Sequence, residues 1–370
     1  MATACETPIH NPDELRSRVA SWPTDAPIAL DTEFVRERTY YPRLCLIQAA
    51  VSGDVALIDT LAIADGGALV APLVDPGRPK LLHAARQDIE ALLPLTGAPL
   101  APVFDTQQAA ALLGFPAQIG YADLVHQLLG VELAKGHART DWSRRPLSPE
   151  QLAYAADDVR YLPALVDALE GRLAAAGRRA WLDEESALLR DISRYRVEPA
   201  EAWRRLKGLE RLDATGFAVA RAVASWRERR AMDRDLPRGW VLPDAAIHEL
   251  AETRPQNRDA LSQLATLPRG TAQRAADEIL AAVADARDER DLRDTSDAAC
   301  PGPAELRRQK LLQKKLTSLA GELGMQPEVL ATRRELVTLA RGSRDSIVLS
   351  GWRRAIVGEP LLAALGDGPL

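Results

Sequence analysis

Every convincing β-type run in this chain lies between residues 27 and 106, and none follows residue 195. The runs are PIALDTEF (27–34), LCLIQAAV (44–51), DVALID (54–59), KLLHA (80–84) and PVFDT (102–106). They are short, apolar and bounded by turn residues, as strands are. The first three follow one another through short connections, which predicts an antiparallel meander. The last two alternate with helical stretches at 86–94 and 105–114, which predicts a βαβ arrangement. A mixed sheet flanked by helices follows, an α/β domain confined to the front of the chain.

From Ser148 onward the pattern turns helical, opening on Ser148-Pro149-Glu150, where serine can cap and proline occupies the first helical position. Segments 200–285 and 302–368 each read as several amphipathic helices joined by short turns. Between them DARDERDLRDTSDAACPGP is charged, then small and proline-bearing, with little to bury. At 370 residues the chain exceeds one ordinary core. The predicted organisation is an α/β domain over 1–195, a first all-α helical bundle over 198–286, a linker over 287–302 and a second bundle over 303–370.

Within the α/β domain, acidic residues fall in suggestive places. Asp31 and Glu33 are two apart at the end of the first strand, so both project from one side of it. The apolar Ile28-Ala29-Leu30 before them argues against full exposure, and buried carboxylates need cations or hydrogen-bond partners. Asp88 follows KLLHA near a helix start. Tyr154 and Asp158 are four apart, on one face of a helix with about 3.6 residues per turn. Asp157, three residues from Tyr154, is the competing choice for that position. Taken singly, each carboxylate could be a solvated edge or a cap, and Tyr154 a core aromatic.

Together they suit a particular chemistry. A phosphodiester is a poor, negatively charged electrophile, and its hydrolysis needs cations on the nonbridging oxygens, an aligned water and relief for the leaving 3′ oxygen. Two divalent cations supply all three, and hard Mg²⁺ or Mn²⁺ prefers carboxylate oxygens. A phenol with an ordinary pKa near about 10 is a poor base, so Tyr154 suits positioning the water. Charge by segment agrees: residues 1–200 carry a net −8 and residues 301–370 a net +4. An acidic front suits cations, and a basic tail suits a polyanion.

At this point a family resemblance enters. Asp31-Thr-Glu33 followed by RTYYPRLCLIQ (38–48), His83-x4-Asp88, PVFDTQ (102–107) and TDWSRRPLSPEQLAYAADDVRYL (140–162) resemble ribonuclease D, of the DEDDy group of 3′→5′ exonucleases. The resemblance implies a ribonuclease H-like mixed sheet. It implies that Asp31, Glu33, Asp88 and Asp158 ligate two metal ions, Mg²⁺ or Mn²⁺, and that Tyr154 positions the hydrolytic water. AWRRLKGLERL (202–212) with RDLPRGWVLPD (234–244) looks like a first HRDC module, and the stretch from Glu305 through IVLSGWRRAIVGEPLLAAL (347–365) like a second. Their implied role is nucleic-acid contact.

The implied substrate is RNA, with 3′ trimming of tRNA precursors and other small structured RNAs as the leading role. A DNA 3′→5′ exonuclease and a catalytically silent RNA-binding protein of the same fold are the alternatives. Candidates for reading a 2′-hydroxyl are Gln48, His83, Gln87 and Gln107, each of which could instead hold a loop or strand. Phe34, Tyr40 and Tyr41 could stack on terminal bases or pack a loop. Cys5, Cys45 and Cys300 are scattered and form no C-x-x-C pair. No run approaches the roughly 18 apolar residues of a membrane span, and the start lacks a basic-then-apolar leader. The expectation is a cytoplasmic protein, a monomer in preference to an oligomer.

Overall fold

The computed structural model describes residues 7–63, 65–134, 136, 140–288 and 302–366. They divide into two compact units. The first comprises the stretches up to Val35, Leu44–Ile192 and Gly302 onward; the second comprises Arg36–Arg43 and Ser193 onward to the expected linker. Most of that linker, 289–301, lies outside the described residues.

The first unit is built on a five-stranded sheet of β1 (Ile28–Val35), β2 (Arg43–Val51), β3 (Asp54–Asp59), β4 (Lys80–Leu82) and β5 (Val103–Asp105), in the order β3-β2-β1-β4-β5. β2 and β3 are antiparallel, with Ile47 opposite Ile58, whereas β1 pairs in parallel with β4, and β4 with β5. The sheet is therefore mixed, and the five predicted runs are its five strands. Lys80, fully buried on β4, donates to the carbonyls of Asp75, Arg78 and Ala101 at 2.6–2.8 Å, satisfying all three of its protons. Around the sheet lie α1 (Pro12–Ala20), α2 (Val70–Val74), α3 (Arg86–Thr96), α4 (Thr106–Leu112), α5 (Tyr121–Leu129), α6 (Pro149–Arg160), α7 (Leu162–Ala175) and α8 (Arg179–Leu188). α6 begins at the predicted serine. Ser148 accepts from the Gln151 backbone N–H, and the Gln151 side chain accepts from that of Ser148, a reciprocal capping box.

The second unit holds α9 (Ala214–Asp233), α10 (Arg238–Val241), α11 (Asp244–Thr253), α12 (Arg258–Ser262), α13 (Arg269–Arg274) and α14 (Ala276–Asp288). Its core includes Trp203, Phe217, Val223, Ile247, Leu250, Ile279 and Val283. Tyr40 joins that core. The sequence between β1 and β2 thus packs within the helical unit, not as part of the sheet.

Beyond the linker come α15 (Pro303–Leu323), α16 (Pro327–Leu330), α17 (Arg333–Ala340), α18 (Gly351–Arg353) and α19 (Glu359–Ala364). The order of long helix, single-turn helix and medium helix in α15–α17 repeats that in α9–α11. These helices share one hydrophobic core with the sheet and α4–α8: Leu312, Leu316, Leu339, Val348, Trp352 and Leu361 cluster with Leu112, Leu169 and Leu182. The helical module expected over 303–370 is thus part of the first compact unit. Trp352 stacks on Trp181 of α8 with centroids 4.3 Å apart, its backbone and indole N–H groups donate to Glu184 and Glu185, and Arg353 pairs with Glu185. Arg178 donates to the carbonyls of both Leu112 and Leu323. At Gly114, where φ is +93°, a Cβ would lie 2.3 Å from the Gly324 carbonyl oxygen, so only glycine admits that approach.

Candidate active site

The first unit carries a cleft of about 470 Å³ lined by Asp31, Thr32, Glu33, Phe34, His83, Ala84, Gln87, Asp88, Tyr121, Tyr154 and Asp158. All five residues singled out from the sequence are in it. β1 delivers Asp31 and Glu33 just past its buried Ile28-Ala29-Leu30 start. Asp158 comes from the last turn of α6, and one oxygen from each of these three carboxylates lies within 4.8 Å of the others. Asp88 sits in the first turn of α3, buried, and its Oδ1 accepts from the Thr32 hydroxyl at 2.6 Å. The competing Asp157 is engaged elsewhere: it pairs with Arg160 at 3.1 Å.

Two local features aim Asp88. Ala84 adopts a left-handed φ of +59°, uncommon for any residue but glycine. Its N–H and that of Ala85 donate to the two oxygens of buried Asp105, at 3.0 and 2.9 Å, and Asp105 also caps α4. This tie between β5 and the β4–α3 turn, across about twenty residues of sequence, fixes where α3 starts. Neither Thr32 nor Asp105 was singled out from the sequence. Both lie inside the quoted motifs, yet a buried threonine or aspartate shows its partner only in three dimensions.

Burial and mutual repulsion raise the carboxylates' proton affinity. Asp31 is pushed well up by burial and then by Asp158, and Asp88 by burial and then by Asp31. Burial, with Asp31, Asp158 and Asp88 beside it, pushes Glu33 up to about 10; burial and Asp157 push Asp158 up to about 7. Four acids that resist ionising together, converging with oxygen donors only, are what a hard divalent cation would relieve. The donor set fits such ions. Tyr154 is held by its ring against the fully buried Trp142, centroids 6.2 Å apart, and its hydroxyl hydrogen-bonds Asp158. Burial, then Asp158, Glu33 and Asp31, push its pKa upward. The phenol stays protonated: it donates to Asp158 and keeps lone pairs with which to accept from a water.

The remaining candidates separate. His83 Nε2–H donates to the Ile119 carbonyl at 2.9 Å, so its Nδ1 is the acceptor facing Thr106, and Gln107 donates to the same carbonyl at 3.0 Å. Gln48 is fully buried on β2. His83 and Gln107 hold the scaffold, Gln48 lies in the interior with both ends of its side-chain amide unpaired, and Gln87 and Phe34 line the cleft. Tyr121, which the sequence reading passed over, is also satisfied internally, donating to the Asp157 carbonyl and accepting from the Tyr161 N–H. Tyr40 offers no stacking face to a base, being buried with its hydroxyl on Glu228.

A mixed β3-β2-β1-β4-β5 sheet presenting such an acidic cleft defines a 3′→5′ exonuclease, and residues 7–174 match the family model described as 3'-5' exonuclease. Residues 216–283 match the HRDC domain, within the first of the two expected modules. The chain is 39% identical over 348 residues to a ribonuclease D from Granulibacter bethesdensis, covering 91% of this chain and 86% of that protein. It is 36% identical to one from Pseudomonas paraeruginosa, covering 96% of each. The crystal structure of Escherichia coli RNase D, described as an exoribonuclease involved in structured RNA processing, superposes with a TM-score of 0.85 at 32% identity, covering 99% of this chain and 100% of that one. The chain belongs to the ribonuclease D family, and as such it is a 3′→5′ exoribonuclease.

Proposed function

We propose that the protein shortens tRNA precursors and other small structured RNAs from extended 3′ ends, releasing 5′-mononucleotides, with Asp31, Glu33, Asp88 and Asp158 as ligands of two Mg²⁺ or Mn²⁺ ions. The convergence of three carboxylate oxygens within 4.8 Å, beside a tyrosine hydrogen-bonded to one of them, carries this reading. Bound there, the ions would supply charge neutralisation at the phosphate, an activated water and relief for the leaving 3′ oxygen. The water attacks phosphorus and the P–O3′ bond breaks. Tyr154 accepts a hydrogen bond from that water and sets its direction, while Trp142 behind the ring and Asp158 at its hydroxyl restrict its motion. Thr32, donating to one oxygen of Asp88, leaves the other for a cation.

In this reading the chain comprises an exonuclease domain over 1–195, an HRDC domain over 198–286 and a second, HRDC-like module over 303–370. The repeated helix order of α15–α17 supports the last. Arg307, Lys310 and Lys314 are exposed on α15, on the face away from buried Leu312, Leu316 and Leu319, and suit phosphate contact. Among the described residues no helix is long and apolar enough to cross a membrane.

The direct test is digestion of a 5′-labelled, 3′-extended tRNA and a matched DNA strand, with Mn²⁺ or Mg²⁺ and with EDTA. A ladder of single-nucleotide steps on RNA that EDTA abolishes is expected. Equal digestion of DNA would reopen the substrate, and no digestion of either would favour the silent RNA-binding alternative.

The raised acids give a second expectation. In the unfolded chain they ionise near about 4, whereas the folded, metal-free site keeps protons up to about 7 on Asp158 and about 10 on Glu33. The native state therefore binds more protons through that window, and its metal-free stability falls as pH rises. Cations bind the deprotonated acids. The increase in melting temperature on adding Mn²⁺ is expected to grow from pH 5 to pH 8; a constant increment would count against these ligands.

A further inference from the structure

Outside the cleft, the largest exposed ring is Trp240, 59% accessible, on the single-turn helix α10 of the second unit. An indole in water forgoes most of the apolar burial that such a side chain gives a fold. Among the described residues Tyr41, 44% accessible, is the other large exposed aromatic. Both belong to the second unit, and one polar knot holds their backbones. Glu228, fully buried, accepts from the Arg238 guanidinium at 2.6 Å and from the Tyr40 hydroxyl. Arg238 also lies over the Tyr40 ring at 5.0 Å, and Asp235 accepts from the N–H groups of Tyr40 and Tyr41 at 2.9 and 3.0 Å. Arg238 opens α10, two residues before Trp240, while Tyr41 packs edge-on against Tyr40 with centroids 4.9 Å apart. The knot thus fixes the backbone under two rings whose faces it leaves in water.

We propose that Trp240 and Tyr41 form a stacking platform for unpaired bases of the RNA substrate. The proposal rests on the exoribonuclease reading above. A base has a π-face whatever its identity, so rings of this kind hold single strands without sequence preference, as an enzyme that removes successive nucleotides requires. Arg36, Arg38 and Arg43 flank Tyr41 in the same segment and are exposed, giving the platform cationic neighbours for the backbone phosphates.

Binding of the full-length protein to a 5′-labelled 15-nucleotide oligoadenylate is measured in EDTA across a salt series, with digestion of the same RNA in Mn²⁺ as a parallel arm. Trp240→Ala is expected to weaken binding about tenfold, the scale of one lost base stack. Trp240→Phe should keep most of the affinity. The slope of affinity against salt should stay as in wild type, because no phosphate contact is removed, and the melting temperature should not move, because the ring is exposed. Tyr41→Ala should act in the same direction. Unchanged affinity in Trp240→Ala, while wild type still binds and digests the RNA, would overturn the platform alone and assign the rings to a protein partner. An equal loss in Trp240→Phe, a shallower salt slope or a lowered melting temperature would overturn it in favour of a structural role. Failure of wild type to bind or digest the RNA would overturn both readings.

Discussion

Asp31→Asn is expected to abolish RNA digestion and at the same time raise the melting temperature of the metal-free protein. The two effects have one origin. Asp31 is held beside Asp158, Glu33 and Asp88 with its charge disfavoured by burial first and by Asp158 next. An isosteric amide removes a charge that the folded state resists, and the stabilisation should appear at ~2–4 °C per kcal/mol. On the proposed ligand assignment the same substitution removes an anionic ligand, and turnover should fall by at least ~10³-fold, the upper end of what deleting one preorganised stabilising group costs. Asp158→Asn should behave alike, and both variants should lose the melting-temperature increase produced by Mn²⁺ while still binding RNA in EDTA. Tyr154→Phe makes the contrast: slower turnover with the Mn²⁺ response retained, because the role proposed for the hydroxyl is to orient water without ligating metal. Near-wild-type turnover in either aspartate variant would refute the ligand assignment, and an unchanged rate in Tyr154→Phe would remove the positioning role.

Deleting residues 303–370 is expected to destroy the solubility of the exonuclease portion instead of trimming an optional RNA-binding module. The deletion strips Leu312, Leu316, Leu339, Val348, Trp352 and Leu361 from a core they share with α4, α7 and α8. It also leaves Glu185, which accepts from the Trp352 indole and pairs with Arg353, without those partners. The milder Trp352→Ala empties the stack against Trp181 and should cost ~3–5 kcal/mol, the usual range for a buried aromatic truncated to alanine. That is a large part of the ~5–15 kcal/mol by which most domains are stable. Thermal unfolding with a dye that binds exposed apolar surface measures both. A soluble, cooperatively melting and active 1–302 fragment would show that the shared core is dispensable. Contact of α15 with RNA is better probed by neutralising Arg307, Lys310 and Lys314, which leaves that core intact.

Much of the site was legible before any coordinates, because its spacing rules are local. Strand periodicity puts Asp31 and Glu33 on one side of β1, helix periodicity puts Tyr154 and Asp158 on one face of α6, and Ser148-Pro149 marks where that helix starts. The supports behind those residues were not legible in the same way. Thr32 under Asp88, Asp105 across the Ala84 turn and Trp142 behind Tyr154 are ordinary residues in ordinary patterns, and only long-range pairing gives them work. Tyr40 shows the limit plainly. A tyrosine beside a catalytic strand suits a base platform by sequence, yet its ring is buried and its hydroxyl is taken by Glu228, 188 residues away.

The sequence by itself determined the strands and most helices of the front domain, the acids and tyrosine of the cleft and the family. Each of these depends on neighbours within a turn or a strand, or on motif identity. Tertiary structure decided which body each helical stretch joins. An amphipathic stripe such as Leu312, Leu316 and Leu319 declares that it must be covered, but not by what. The same stripe would serve an independent bundle or a docked one. The choice is made by shape and by partners distant in sequence: the Gly114–Gly324 approach, the Trp181–Trp352 stack and the bifurcated reach of Arg178 to Leu112 and Leu323.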